Sequence, residues 1–138
     1  MATADSGILT VILADRNRHI RELLAREFMR AGFTVKSFGF GREAAAVAGR
    51  EGDVLVVDGD LPDMDAASVV RAVRESRPGM PVAVHAHERE EAGDCLGDAL
   101  VFFVPKADDP SALVEQVSKV MDSVRTSPST GADPKQGR

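Results

Sequence analysis

Cysteine is almost absent from the sequence, which has only Cys95 among its 138 residues, and tryptophan and tyrosine are missing altogether. A single cysteine excludes an internal disulfide and favours a reducing, intracellular setting, so we expect a cytoplasmic protein. Since six phenylalanines are the only aromatic residues, a folded core must be built mostly from Val, Leu, Ile and Ala. The formal net charge of -5 argues against direct binding of nucleic acid, which normally needs a basic face.

Targeting and membrane-spanning patterns are missing as well. Residues 1–7 lack the basic and apolar regions of a secretory signal, and no apolar run approaches the roughly 18 residues of a membrane span. We therefore expect no membrane contact. The length of 138 residues fits one domain. We predict a disordered N-terminus at 1–7, a folded domain at 8–125 and a flexible tail or linker at 126–138.

Short apolar runs alternate with segments of helical periodicity along the chain. The runs cover 8–14, 54–57, 82–85 and 100–104, with a weaker strand at 33–38. They are rich in β-branched residues, which is typical of strands buried on both faces. The helical pattern covers 20–31, 41–50, 69–73 and 113–124, with a short and poorly supported helix at 88–98. This alternation predicts an α/β fold, a doubly wound five-stranded parallel sheet with helices on both faces.

Charged side chains follow three of the five predicted strands. Asp15 comes after the first strand, Asp58 after the third and Lys106 after the fifth. In an open parallel sheet, functional residues gather beyond the carboxyl ends of the strands, so these three are expected to converge. Strand ends are often polar simply because the chain turns into solvent there. Two carboxylates and an ammonium at one edge nevertheless predict a working site centred on Asp58.

The segment 53–65, with the sequence DVLVVDGDLPDMD, resembles the phosphoacceptor segment of response-regulator receiver domains. That family has an apolar strand, the acceptor Asp, two residues, a Leu-Pro or Met-Pro pair and a Met-Asp-Gly turn. The resemblance covers about 8–124. It includes Asp15 ahead of an Ile-Arg-Glu-Leu-Leu helix, Pro81 opening the fourth strand, and Phe103 three residues before Lys106. It implies the flavodoxin-like receiver fold and a role in bacterial two-component signalling.

The resemblance also implies a chemistry for the predicted site. Asp58 would accept a phosphoryl group from the phosphohistidine of a histidine kinase or phosphotransfer protein and form an acyl phosphate. Lys106 would pair with a phosphoryl oxygen, and Mg²⁺ would be held by Asp15, Asp58 and the backbone carbonyl of Asp60. Such a domain is not an enzyme beyond self-catalysed phosphotransfer and dephosphorylation. Its contacts with a downstream protein, or with a second copy, would use the face of helix 4 (88–98), strand 5 (100–104) and helix 5 (113–124).

Three residues depart from the family pattern, namely Arg16, Ala86 and Ala107, which stands where a Pro commonly follows the Lys. We therefore expect an atypical member. Arg16 stands where the family usually has a second metal-binding acid, which makes the site less negative and predicts weak or absent Mg²⁺ binding. Its guanidinium could clamp Asp58 in place of the metal, or turn to solvent. Ala86 replaces the Thr or Ser whose hydroxyl binds the phosphoryl group. The usual coupling of phosphorylation to the aromatic switch position, Phe103, is therefore expected to change.

Two other functions remain open from the sequence. If Arg16 replaces the metal, the domain could be a pseudo-receiver, a constitutive protein-binding module that works without phosphorylation. A small nucleotide-binding α/β enzyme is less consistent with the sequence. The first strand is followed by neither Gly-x-Gly-x-x-Gly nor a Gly-x-x-x-x-Gly-Lys loop, and the pair Gly39 and Gly41 reads better as a turn.

Overall fold

The computed structural model of the chain describes residues 7–126, with side chains as far as Val124. Apart from Gly7 and Thr126, the predicted disordered N-terminus at 1–7 and the predicted tail at 126–138 lie outside these residues. Within 7–126, none of the helices combines the length and the apolar character that crossing a membrane would require.

Five strands and four α-helices alternate along the chain, with a 3₁₀ segment in the place of a fifth helix. In order they are β1 (Thr10–Ala14), α1 (Arg18–Arg30), β2 (Thr34–Phe38), α2 (Gly41–Ala48), β3 (Val54–Asp58), α3 (Ala66–Arg74), β4 (Val82–Ala86), the 3₁₀ segment (Arg89–Gly97), β5 (Val101–Pro105) and α4 (Ser111–Thr126). β1 begins two residues later than predicted, and β3, β4 and β5 each end one residue later.

The strands form one parallel sheet in the order β2-β1-β3-β4-β5. Helices α2 and α3 and the 3₁₀ segment pack on one face of this sheet, while α1 and α4 pack on the other. The predicted doubly wound five-stranded sheet is therefore confirmed. All five carboxyl ends lie at one edge because every strand runs in the same direction.

Alternation along β3 decides which way its last side chain points. Leu55 and Val57 belong to the core beneath α2 and α3, whereas Val54 and Val56 belong to the core beneath α1 and α4. Because successive side chains of a strand point to opposite faces, Asp58 has the direction of Val54 and Val56. The acidic side chain thus stands at the top of the α1 and α4 layer.

Local capping signals place the helices that flank this edge. The side chain of Asn17 accepts a hydrogen bond from the backbone N–H of Ile20 at 3.1 Å and begins α1. Asp65 does the same for the N–H of Ser68 at 2.8 Å and begins α3. Such caps satisfy N–H groups that lack a partner within the helix. Gly32, just beyond α1, has φ of 103°, a conformation that favours glycine.

The predicted helix at 88–98 is wrong in type, because the segment Arg89–Gly97 is a 3₁₀ helix with a kink at Gly93. Gly93 has φ of 65° and ψ of -145°, which interrupts any regular helix. Within the segment, Ala92 and Cys95 are the buried residues, so it lacks the broad apolar stripe that stabilises an amphipathic helix. Too little apolar surface is available to select a regular α-helix here.

A polar contact with α3 holds the end of the 3₁₀ segment in place. Arg74, on α3, donates to Asp98 through Nε at 2.6 Å and through Nη2 at 3.3 Å. Asp98 also accepts from the backbone N–H of Leu100 at 2.8 Å, so one carboxylate joins α3 to the start of β5. The Arg74 side chain is largely buried, which makes this two-pronged pair stronger than an exposed one. Hydrogen bonding from Arg74 lowers the pKa of the Asp98 carboxyl.

Replacing Arg74 with methionine is expected to lower the free energy of unfolding by about 1–3 kcal/mol, because Asp98 loses its charged partner. Urea denaturation followed by circular dichroism measures the change. The matched control is Arg71→Met on the same helix, where an exposed guanidinium donates to the hydroxyl of Ser68 at 3.0 Å. That control should change stability by less than about 0.5 kcal/mol. Equal losses in the two variants would contradict a special role for the Arg74 contact.

Candidate functional site

Asp58 and Lys106 meet at the carboxyl edge of the sheet. The Nζ atom of Lys106 lies 2.9 Å from Oδ1 of Asp58, whose side chain is 1% exposed. Oδ1 also accepts from the backbone N–H of Asp60 at 3.1 Å, and Oδ2 has a longer contact of 3.4 Å with the backbone N–H of Arg16. A buried carboxylate needs such compensation, since desolvation penalises its charge. The site therefore holds Asp58 in place from three directions.

Asp15 is the second buried carboxylate of this edge. It directly follows β1 and is 2% exposed, and its Oδ1 accepts from the backbone N–H of Asn17 at 2.9 Å. Burial raises the pKa of the Asp15 carboxyl and the negative charge of Asp58 adds to the rise, while the Asn17 hydrogen bond and the charges of Lys106 and Arg21 oppose it. The two acids are thus close enough to influence each other electrostatically.

Arg16 does not clamp Asp58 through its guanidinium. Its Nη1 atom instead pairs with Oδ2 of Asp60 at 3.2 Å, and the Arg16 side chain is 51% exposed. Only the backbone N–H of Arg16 faces Asp58. Of the two arrangements left open by the sequence, the clamp on Asp58 is therefore not the one in the structure. Arg16 neutralises the neighbouring acid at the rim instead.

The donor set suits Mg²⁺ poorly. Asp58 and Asp60 each form an ion pair, with Lys106 and Arg16 respectively. Within the described part of the chain, no group of three His, Cys, Asp or Glu residues has the spacing to hold a metal ion. Mg²⁺ prefers carboxylates free to replace part of its water shell. A cation would have to compete with two side chains that already neutralise this site, and the ligand role of the Asp60 carbonyl stays a prediction.

The two predicted switch positions lie on the other face of the sheet. Ala86, the last residue of β4, is fully buried, and its carbonyl accepts from the backbone N–H of Lys106 at 2.8 Å. A methyl group added at Gly59 would lie 2.7 Å from the Ala86 side chain, so β3 and β4 leave little space here. On β5, Phe103 is partly buried, with the Arg89 guanidinium 5.5 Å from its ring centroid. This cation–π contact ties the 3₁₀ segment to the aromatic ring.

A histidine of β4 belongs to this edge, although the sequence pattern assigned it no role. His85 is paired in register with Asp58 and is 7% exposed. Burial lowers the pKa of its imidazole to about 4; the positive charge of Lys106 adds to this shift, the charge of Asp58 opposes it and His87 adds to it. The only signal in the sequence is a polar residue inside an otherwise apolar strand.

An open cavity of about 570 Å³ connects these groups to solvent. Its lining includes the exposed His87, whose backbone N–H donates to Glu91 at 2.8 Å. The residues that carry charge or a titratable ring around this cavity are Arg16, Asp58, Asp60, His85, His87 and Lys106. Such a cavity can admit a small anionic group to the buried carboxylate.

Comparison with known proteins places the chain among signalling proteins. Residues 11–118 match the family described as response regulator receiver domain. The chain is 28% identical over 138 residues to the probable transcriptional regulatory protein TcrX of Mycobacterium tuberculosis, covering 96% of this chain and 57% of that protein. Across the first four curated relatives, the chain spans between 24% and 57% of their length.

Solved structures include proteins with the same fold. The chemotaxis response regulator CheY4 of Vibrio cholerae superposes with a TM-score of 0.73 at 24% identity, covering 82% of this chain and 98% of that one. The response regulator TrrA of Thermotoga maritima, solved in complex with Mg²⁺ and BeF, gives a TM-score of 0.71 at 20% identity and covers 81% and 98%. At these identities the likeness is one of fold.

Proposed function

The chain belongs to the family of response regulator receiver domains, and from that premise we propose that Asp58 accepts a phosphoryl group from a histidine kinase or phosphotransfer protein. The observation that carries the proposal is the 2.9 Å contact between Asp58 and Lys106 at the wall of an open cavity. It supplies a nucleophile and a group that neutralises charge in one place. Receiver domains are signalling domains, and the only chemistry we propose is self-catalysed transfer and hydrolysis at Asp58.

The contacts of the carboxylate suggest which oxygen reacts. Oδ1 of Asp58 already accepts two hydrogen bonds, from Lys106 and from the backbone of Asp60, whereas Oδ2 has one long contact. We assign the attack to Oδ2. Its O–P bond forms as the N–P bond of the partner's phosphohistidine breaks, and the electron pair leaves on the partner's imidazole. The Lys106 ammonium then pairs with a phosphoryl oxygen.

The test is incubation with a small-molecule phosphodonor, with Mg²⁺ or with EDTA, followed by intact-mass measurement. We expect an adduct of about 80 Da, sensitive to hydroxylamine as an acyl phosphate should be, on the wild type. Asp58→Asn removes the nucleophile and should abolish the adduct. Asp60→Asn is the matched control, because it changes a neighbouring acid but keeps the backbone groups. An adduct of equal size on the Asp58→Asn variant would overturn the assignment.

Output is proposed to pass through protein contacts on the face formed by the 3₁₀ segment, β5 and α4. This face corresponds to the predicted surface of helix 4, strand 5 and helix 5, and a downstream protein or a second copy would bind it. Two observations support an altered readout there: Ala86 carries no hydroxyl, and Arg89 already holds the ring of Phe103. We therefore propose an atypical receiver, in which a phosphoryl group at Asp58 moves this face less than in other receivers.

A phosphorylation-independent module is the second candidate, and one observation favours it. Two of the three acids at this edge are neutralised by side chains of the chain itself, Asp58 by Lys106 and Asp60 by Arg16. A site satisfied in this way can hold one conformation without metal or phosphate. In that case the intact-mass test gives no adduct on the wild type under any condition.

The cytoplasmic location expected from the single cysteine stays a prediction.

A further inference from the structure

His85 interrupts a strand that is otherwise apolar. The remaining residues of β4 are Val82, Ala83, Val84 and Ala86, and every residue of this strand is buried. Its neighbours in register are Asp58 on β3 and Val104 on β5. Side chains in register on adjacent parallel strands point to the same face. The imidazole therefore stands beside the Asp58 carboxylate, on the side of the sheet covered by α1 and α4.

The imidazole has no hydrogen-bond partner among the described residues, although His85 is only 7% exposed. Buried polar side chains nearly always have a partner, and an unpaired one lowers stability. An apolar residue would suit this position better if packing alone decided it. The ring lines the same cavity as Asp58 and Lys106. Its missing partner is therefore best sought in a group that enters this cavity.

The ring is also in a suitable protonation state to bind an anion by hydrogen bonding. Burial together with the positive charge of Lys106 keeps the pKa of His85 near 4, so the imidazole is neutral in neutral solution. A neutral imidazole has one N–H donor and one acceptor nitrogen. Charges that face it are those of Lys106, Asp58 and, in its protonated form, His87. Ala86, next along β4, offers no donor from its side chain.

We propose that His85 is a phosphoryl-binding residue, whose N–H donates a hydrogen bond to an oxygen of the group carried by Asp58 and so replaces the hydroxyl that Ala86 lacks. This inference rests on the proposed phosphorylation of Asp58. Lys106 and the backbone N–H of Asp60 bind on one side of the carboxylate. His85 supplies a third donor from β4, the strand between β3 and β5, so the phosphoryl group gains a hydrogen bond that Lys106 and Asp60 do not provide.

The experiment measures the rate of adduct formation and the half-life of the acyl phosphate in four variants of the full chain. His85→Val removes the donor. We expect the rate of adduct formation multiplied by the half-life of the acyl phosphate, which reports how much adduct accumulates, to fall about tenfold. His85→Asn and His85→Gln carry amide donors near the positions of the two ring nitrogens, and the better of them should stay within about threefold of the wild type. His19→Asn is the control, at an exposed histidine of α1 outside the lining of this cavity, and should have no effect.

Nuclear magnetic resonance of the imidazole nitrogens of His85 gives a second readout. Their shifts should change on phosphorylation as the N–H gains an acceptor, and the His87 nitrogens should change less. If the wild type is phosphorylated and His85→Val behaves identically, the inference about His85 is overturned while the function of Asp58 stands. A wild type that forms no adduct at all overturns the proposed function and this inference with it.

Discussion

Replacing Arg16 with aspartate is expected to raise the affinity of the site for Mg²⁺ by about two orders of magnitude. Three carboxylates now face two cationic side chains at this edge, Asp15, Asp58 and Asp60 against Arg16 and Lys106. The substitution removes one positive charge, adds one negative charge and frees Asp60. Charges a few ångströms apart interact by several kcal/mol at the dielectric of a partly buried site. For this substitution we expect a gain in Mg²⁺ binding free energy of roughly 3 kcal/mol, or about 100-fold in affinity, because half of the Arg16 side chain is exposed to solvent that screens its charge.

Isothermal titration with MgCl₂ measures the effect, and Arg50→Asp is the control. The Arg50→Asp substitution changes the net charge by the same amount. Arg50 lies between α2 and β3, at the end of the sheet opposite to Asp58. The length of β3, roughly 16 Å at the usual rise per residue, separates it from Asp58. At physiological ionic strength this distance exceeds the screening length, so the control should bind Mg²⁺ as weakly as the wild type. Equal gains in the two variants would show that bulk charge, not Arg16, limits binding.

Which residues lie at the carboxyl edge of the sheet could be predicted from the sequence, because the sheet is parallel. Parallel strands place all their carboxyl ends together, so Asp15, Asp58 and Lys106 can be assigned to one edge from strand order alone. The helix caps Asn17 and Asp65 were not predicted, although each acts within three residues of itself and its signal is local. These features depend on short-range rules that a single sequence carries.

Three features of the fold and the site depend on contacts that cannot be predicted from a single sequence. The 3₁₀ segment is fixed partly by the pair of Arg74 and Asp98, which are 24 positions apart. Arg16 had two carboxylates within reach, and only the geometry of the loop decides that it binds Asp60. The importance of His85 follows from its register with Asp58, and register across β3 and β4 requires the paired strands. In each case the deciding partner is distant in sequence.

A buried polar residue at a functional site, where an apolar residue would pack better, leads to an expectation about the stability of this domain. Sites that bind a ligand often retain groups that lower the stability of the free protein. His85 is such a group, because its ring is buried without a hydrogen-bond partner within residues 7–126. Removing it should therefore separate two properties, lowering the retention of the phosphoryl group while raising the stability of the unmodified chain.

His85→Val is accordingly expected to raise the free energy of unfolding by about 1–3 kcal/mol at pH 7, since valine suits a buried strand and leaves no polar atom unpaired. The gain should grow as the pH falls. The pKa of His85 is about 4 in the folded chain and 6.5 at its ordinary value. Between these values the unfolded chain binds a proton that the folded chain does not, so the wild type loses stability as the pH is lowered, by roughly 2–3 kcal/mol at pH 4.5.

The valine variant lacks this titration, so urea unfolding of both proteins at pH 7 and pH 4.5 measures the difference directly. Titration of the acidic residues that the two proteins share cancels in the comparison. His87→Val is the control, because His87 is exposed and its replacement should change stability by less than about 0.5 kcal/mol at either pH. A gap between wild type and His85→Val that stays constant from pH 7 to pH 4.5 would mean that the imidazole is accessible to protons in the folded state. The burial of the unmodified ring, from which the stability prediction follows, would then be wrong.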